Sequence, residues 1–291
     1  MTYFSLVDYD NLEKIKIMIA TSTLTKESIL KENVYGRSYF WNAIYKGRVD
    51  IVKLFINTYN LQKEDIVVKL TPGGMTPLHV ASQFGHTELV NFLITLCDQY
   101  DLRMIDNRNR TPLYWACWKG TLEIVKILTQ AGIQKKDVMA KDDLGNTVIF
   151  IANLKNHVEI VKFLINTYDI LKEDIMTSNK EGVTILHRAI ENNNLNVIEL
   201  LTNTYDIQKE DIMKIDRYGE NAFLGAIENN NMDIVKLLMI KCNIRKDDIM
   251  KKDKYNKSMY SVATTSIRQF FDQTMFMKDI DNIINDMISP F

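Results

Sequence analysis

Histidine, cysteine and clustered carboxylates are the side chains that could carry acid–base, nucleophilic or metal chemistry. In these 291 residues they are few and scattered. The four histidines, His79, His86, His157 and His187, and the three cysteines, Cys97, Cys117 and Cys242, show no convergence in sequence, whereas catalysis needs such groups within hydrogen-bond reach of one another. The histidines fall instead into two sets of equivalent places. His79 and His187 close the stretches Thr76-Pro77-Leu78-His79 and Thr184-Ile185-Leu186-His187, and His86 and His157 follow Gly85 and Asn156. Histidine recurring at fixed places points to structural hydrogen bonding. The cysteines are odd in number and lack CxxC spacing, so neither a disulfide framework nor a zinc site is indicated, and Cys117 beside Ala116 reads as packing. The acidic runs Gln62-Lys63-Glu64-Asp65, Leu171-Lys172-Glu173-Asp174 and Gln208-Lys209-Glu210-Asp211 lack the spaced ligands and central glycine of a calcium loop, and read as solvated turns. No catalytic residue, cofactor or metal is expected.

The elements that carry these residues repeat. Aligned on a glycine or asparagine with alanine seven places on, the anchors are Gly36, Gly74, Asn109, Gly145, Gly182, Gly219 and Asn256, with steps of 38, 35, 36, 37, 37 and 37. A fixed period of this size is the mark of a stacked repeat fold. Each unit predicts a short helix, a glycine or asparagine break, a second apolar helix such as Asp50 to Ile56, and a loop. Thr76-Pro77 and Thr111-Pro112 suit a helix start, since threonine accepts from orphan backbone N–H groups and proline lacks the N–H that would go unpaired. Gly47, Gly85 and Gly120 end the first helix in left-handed geometry, a place taken later by Asn156, Asn193 and Asn230. The alanines, among them Ala81, Ala116 and Ala152, mark close approach between neighbouring helices. The acidic runs, inserted after the second helix, predict one extra helical turn per unit.

These motifs resemble the ankyrin repeat over nearly the whole chain, most fully at Thr76 to His79. The resemblance implies an all-α solenoid of stacked helix-turn-helix units with β-hairpin-like loops, here with a period of about 37 rather than 33. Three segments of one continuous domain are expected: a truncated N-terminal capping repeat over 1–35, the array over 36–263, and a C-terminal cap over 264–291. Ile280, Ile283, Ile284, Met287 and Ile288 lie on one helical stripe in that last segment, as a cap or, alternatively, a partner-binding or membrane-surface helix. Its flanking Asp279, Asp281 and Asp286 argue against anionic lipid.

Composition narrows the function. Net charge is −1, with 18 Lys+Arg against 16 Asp+Glu through residue 145 and 18 against 21 beyond, which disfavours nucleic acid. No apolar run reaches the roughly 18 residues of a membrane span. With unpaired thiols, this suits a cytoplasmic protein, or one acting in a host cytosol. Ankyrin proteins typically bind partners on a concave face, and the resemblance places Arg37, Tyr45, Lys46, Phe84, Arg110, Trp118, Lys119 and Lys155 there. The same slots turn polar and acidic later, at Glu191, Glu220 and Glu228. The resemblance implies a protein–protein interaction module whose partner offers acidic and apolar surface, with drift on a solvated face as the bland alternative. Richness in Ile, Lys, Asn, Tyr and Met resembles ankyrin proteins of AT-rich microbes and giant viruses, which fits a microbial adaptor or host-directed effector. Two rival readings stand: an RNA or oligonucleotide binder using Trp118 or Phe84 to stack bases, and a targeting subunit of a separate enzyme.

Overall fold

The computed structural model describes residues 11–31, 38–69, 71–252 and 256–274. The expected stripe from Ile280 to Ile288, the boundary near residue 36, and Arg37 lie outside them. Contacts gather into two compact units, Met1–Asp169 and Ile170–Phe291.

The first unit alternates short and long helices. Its elements are α1 (Leu12–Ala20), α2 (Lys26–Leu30), α3 (Tyr39–Tyr45), α4 (Val49–Tyr59), α5 (Lys63–Ile66), α6 (Pro77–Phe84), α7 (Thr87–Ile94), a 3-10 turn (Asp101–Arg103), α8 (Pro112–Lys119), α9 (Leu122–Gln130), α10 (Lys135–Val138), α11 (Val148–Leu154) and α12 (Val158–Thr167). First helices pack on first helices, α3 on α6, α6 on α8 and α8 on α11, while α4, α7, α9 and α12 form a second layer. The second unit continues the pattern with α13 (Lys172–Ile175), α14 (Ile185–Glu191), α15 (Leu195–Thr204), α16 (Lys209–Ile212), α17 (Ala222–Glu228), α18 (Met232–Lys241), α19 (Lys246–Met250) and α20 (Met259–Val262), and residues 265–274 are helical. Within it α14 packs on α17 and α17 on α20. The fold is all-α. The hairpin-like character of the loops reduces, among the described residues, to isolated bridges such as Ile215 with Asn221.

The helix starts are made as the sequence indicates. Ser38, Thr76, Thr111, Thr147, Thr184, Asn221 and Ser258 each accept from the backbone N–H three residues on. This satisfies a donor that the first turn of a helix leaves unpaired. The alanine slot is closed to solvent, with Ala81, Ala116, Ala152, Ala189 and Ala226 at 0% exposure, so a larger side chain would have to push two helices apart.

The acidic runs form the extra helical turn but are less solvated than expected. Their glutamates, Glu64, Glu173 and Glu210, are exposed, whereas the aspartates face back and cap their own turn. Asp65 accepts from the Gln62 N–H at 2.9 Å, Asp174 from Leu171 at 2.9 Å and Asp211 from Gln208 at 2.7 Å. In four of these turns the opening lysine reaches a carboxylate of the next repeat. Lys26 meets Asp65 at 2.6 Å, Lys63 meets the buried Asp101 at 2.9 Å, Lys172 meets Asp211 at 2.7 Å and Lys209 meets Asp248 at 3.1 Å. The run is thus one rung of an ion-pair ladder within each unit. The Lys26 and Gln62 contacts hold the Asp65 carboxyl below its usual range.

Leu78 is 3% exposed and, with Ile66, Pro77 and Leu93, lines a small cavity where two repeats meet. Leu78→Ala is expected to lower unfolding free energy by about 2 to 5 kcal/mol, since the rigid stack collapses poorly around the void. Urea denaturation followed by circular dichroism measures it, and a loss below about 1 kcal/mol would contradict a core made between repeats.

Candidate functional site

The face expected to meet a partner is built at the C-terminal ends of the first helices of the first unit. Tyr45 ends α3, Phe84 ends α6, and Trp118 precedes the last residue of α8. The Tyr45 and Phe84 rings meet edge to face with centroids 4.5 Å apart, and Tyr45 also stacks on Trp41 at 4.7 Å. Trp118 packs edge-on to Trp115 at 6.3 Å, and the Lys155 ammonium lies 3.5 Å from its ring centroid. Phe84 and Trp118 each keep 37% of their surface exposed, while Lys46 and Lys119 are open to solvent. Half-exposed aromatics beside cations form amphipathic ground of the kind enriched at protein interfaces.

Arg110 has a different place from the lysines. Its Nε donates to Asp106 at 2.8 Å and its guanidinium stacks 4.2 Å from the Trp115 centroid. The Asp106 carboxylate is fully enclosed and also accepts from the Arg108 N–H at 2.8 Å, the Arg110 N–H at 3.0 Å and Trp115 Nε1 at 3.2 Å. Arg110 therefore ties the loop of its repeat to the helix that carries Trp118. Asp106 and Trp115 were not singled out from sequence. A signal for Asp106 was present: Asp142, Asn179 and Asp216 hold the same place before each loop glycine and accept the same pair of loop N–H groups.

The histidines turn out to hold this face in place. His86 Nε2 lies 2.8 Å from the Tyr45 carbonyl and His157 Nε2 3.3 Å from the Trp118 carbonyl, each reaching back one repeat to the end of a first helix. A carbonyl only accepts, so the Nε2 proton points at it. Gly47 and Gly120 make this possible. Both have positive φ, +70° and +88°, and a Cβ on either would stand 2.6 Å from the His86 ring or 2.3 Å from the His157 ring. His79 and His187 reach forward instead, placing Nε2 2.9 Å from the Arg110 carbonyl and 3.0 Å from the Lys214 carbonyl. In His79 the Thr76 N–H, at 3.2 Å, donates to Nδ1, which fixes the neutral tautomer. Burial pushes His79 down from its ordinary 6.5 to about 4, against the opposing pull of the Arg110 carbonyl, and burial lowers His187 too. Burial raises the thiols: Cys97 to about 12, Cys242 to about 11, and Cys117 strongly upward. Thiols held so high carry almost no thiolate at neutral pH and are poor nucleophiles. Among the described residues no group of three or more His, Cys, Asp or Glu could hold a metal ion, and no helix is long and apolar enough to cross a membrane.

The family model for ankyrin repeats in three copies matches residues 40–140, 133–211 and 175–253. The chain belongs to the ankyrin-repeat family. It is 30% identical over 121 residues to transient receptor potential cation channel subfamily A member 1 of Drosophila melanogaster, covering 41% of this chain and 10% of the channel. It is 33% identical over 111 residues to the SMC5-SMC6 complex localization factor protein 1 of Bos taurus, covering 38% of this chain and 10% of that protein. A Rickettsia bellii protein named for its ankyrin repeats is 27% identical over 156 residues, 52% of this chain and 81% of that one. The chain thus spans a small part of the first two relatives. Ankyrin repeats are protein–protein interaction modules, and the fold is typically non-catalytic.

The depressed His79 gives a signed expectation. Below pH 6.5 the unfolded chain takes up a proton that folded His79 refuses until about pH 4. The unfolded state binds more protons in that window, so this contribution is complete above pH 6.5, is lost as pH falls toward 4, and amounts to roughly 3 kcal/mol. Urea midpoints between about pH 7 and pH 4.5 should fall for the wild type and fall less for His79→Gln, even though that variant starts lower. Parallel curves for the two proteins would show that His79 titrates normally.

Proposed function

We propose that the face carrying Tyr45, Phe84, Trp118, Lys46, Lys119 and Lys155 docks a protein segment that presents acidic groups around an apolar anchor. The observation that carries this reading is the gathering of partly exposed rings, Phe84 edge to face with Tyr45, together with the cation–ring pair of Lys155 over Trp118. An incoming carboxylate can draw the Lys155 ammonium off the Trp118 ring and leave the indole to an apolar side chain, which exchanges one favourable contact for two. Arg110 acts on this reading as a positioning residue, since Asp106 already holds it. The chain works as a non-catalytic adaptor or host-directed effector in the cytosol. The unpaired Cys97, Cys117 and Cys242 support such a reducing compartment.

Selection from a random peptide display library on the immobilised chain tests it. Enriched peptides are expected to carry Asp or Glu beside Trp, Phe or Leu. Trp118→Ala should weaken them by more than about tenfold, because truncating a central aromatic anchor commonly costs 2 kcal/mol or more. Lys119→Glu should flatten the salt dependence, and Glu228→Ala should leave peptide affinity unchanged. Peptides that bind folded Trp118→Ala as they bind the wild type would place the site elsewhere.

A further inference from the structure

Two tryptophans of α8 each carry a cation over the ring, and the two pairs are built differently. Over Trp115 the Arg110 guanidinium lies 4.2 Å from the centroid and is fastened there. Its Nε donates to Asp106 at 2.8 Å, and the same carboxylate accepts from Trp115 Nε1 at 3.2 Å. Trp115 is 6% exposed, so this pair is closed and belongs to the fold. Over Trp118 the Lys155 ammonium lies 3.5 Å from the centroid, and the indole still has 37% of its surface in solvent. Among the described residues no carboxylate lies within ion-pair distance of Lys155, and its ammonium donates no hydrogen bond. A lysine ammonium on its flexible four-carbon stem can leave such a place without breaking any other polar contact.

The repeat itself puts Lys155 there. Lys155 precedes the left-handed Asn156 as Phe84 precedes the left-handed Gly85, and Trp118 holds the place of Tyr45. The same step of one repeat therefore sets Phe84 against the Tyr45 ring, with centroids 4.5 Å apart, and Lys155 against the Trp118 ring. A phenyl ring on Tyr45 is an apolar contact that a carboxylate has no means of displacing. An ammonium on Trp118 is different, because a carboxylate is a better partner for it than an indole face is.

Resting on the docking reading above, we propose that Lys155 is the specificity gate of the Trp118 subsite. In the free chain its ammonium covers the indole, so an apolar side chain that arrives alone must displace it and forfeit that contact. A segment that brings a carboxylate beside its apolar residue draws the ammonium aside and seats the apolar group on the ring. Lys155 thereby couples the two groups of the ligand: the acid opens the place for the anchor, beyond the long-range attraction that any surface lysine adds. Lys46 and Lys119 cover no ring among the described residues and supply only that attraction.

The test uses an acidic peptide selected on the full chain by display and its neutral twin, with each Asp and Glu replaced by Asn and Gln. Fluorescence anisotropy of the labelled peptides gives affinities for wild type, Lys155→Gln, Lys155→Arg and Lys119→Gln. The wild type should prefer the acidic peptide by about tenfold or more. Lys155→Gln removes the charge without adding apolar surface. It should bind the neutral twin about two to five times more tightly than the wild type does, the worth of an exposed cation–ring contact. Lys155→Arg keeps a cation over the ring and should keep the wild-type preference, whereas Lys119→Gln should weaken the acidic peptide and leave the neutral one unchanged. Lys119 is exposed and Lys155 half-buried at a helix end, so all three variants should keep the wild-type circular dichroism. A neutral twin that binds Lys155→Gln no better than wild type overturns the gate and makes Lys155 an ordinary surface charge; the docking face stands if Trp118→Ala still loses the acidic peptide. Peptides indifferent to Trp118→Ala overturn the docking reading and the gate with it. A readout without ligand is the proton resonance of the Lys155 ε-methylene, which the ring current should move upfield in the wild type relative to Trp118→Leu. The acidic peptide should remove most of that shift and the neutral twin should not. Equal positions in the wild type and Trp118→Leu overturn the gate.

Discussion

No repeat of this chain can bury its own apolar face, and most of the architecture follows from that constraint. A helix pair of seven to eleven residues each, such as α3 with α4, offers one layer of side chains and no second layer to cover it. The next pair must supply the cover, and the alanine slot sets how closely it comes. With Ala116 and Ala152 at 0% exposure there is no room for a longer side chain between α8 and α11. Once that spacing is set, the ends of neighbouring first helices lie side by side, and the Tyr45 ring touches Phe84, one place past its own equivalent in the next repeat.

Polar groups then settle the register that apolar contact alone would leave loose. Hydrophobic packing is non-directional, whereas the histidine and tyrosine hydrogen bonds between repeats each accept only one alignment. His86 finds the Tyr45 carbonyl, and Tyr59 donates to the Leu24 carbonyl at 2.7 Å; in the second unit Tyr205 donates to the Ile170 carbonyl at 2.8 Å. Each bond gives a carbonyl at a helix end or loop the partner it lacks within its own repeat. The lysine and aspartate ladder adds attraction at the rim, where exposed pairs contribute little singly. Its aspartates matter more as caps, because they keep a one-turn helix from unravelling.

How much of this could be read from residues alone depended on whether the cause was local. Helix starts at Thr76 and Thr111, left-handed ends at Gly85 and Asn156, and the extra turn after each second helix are matters of backbone geometry within a few residues, and all are found where the repeat places them. The role of histidine was legible as structural but its partners were not, since His157 bonds a carbonyl 39 residues away. Arg110 shows the limit most clearly. Its slot in the repeat suggested an outward residue, but whether a guanidinium reaches solvent depends on Asp106 and Trp115 closing around it, and that requires knowing how the loop folds over α8. The aspartates of the acidic runs were misjudged for a similar reason: composition suggests solvation, while their carboxylates turn inward to N–H groups three residues back.

The residues that hold the stack together are not the ones left at its surface, and that separation explains how one repeat can carry contrasting surfaces. The stack uses the alanine, the capping hydroxyl, the left-handed residue and the carbonyl-seeking histidine or tyrosine. The two side chains before the left-handed residue contribute only part of their surface to packing, and what holds their helix end is its backbone carbonyl. Trp118 illustrates this: His157 bonds its carbonyl, and its ring is left 37% exposed under a lysine. Glu191 and Glu228 end first helices in the same way, with different side chains on the same backbone. Substitution at such a slot changes the surface without disturbing the cap or the close helix contact. A chain built this way can therefore gather cations and aromatic rings in one unit and carboxylates in the other while its overall charge stays near zero.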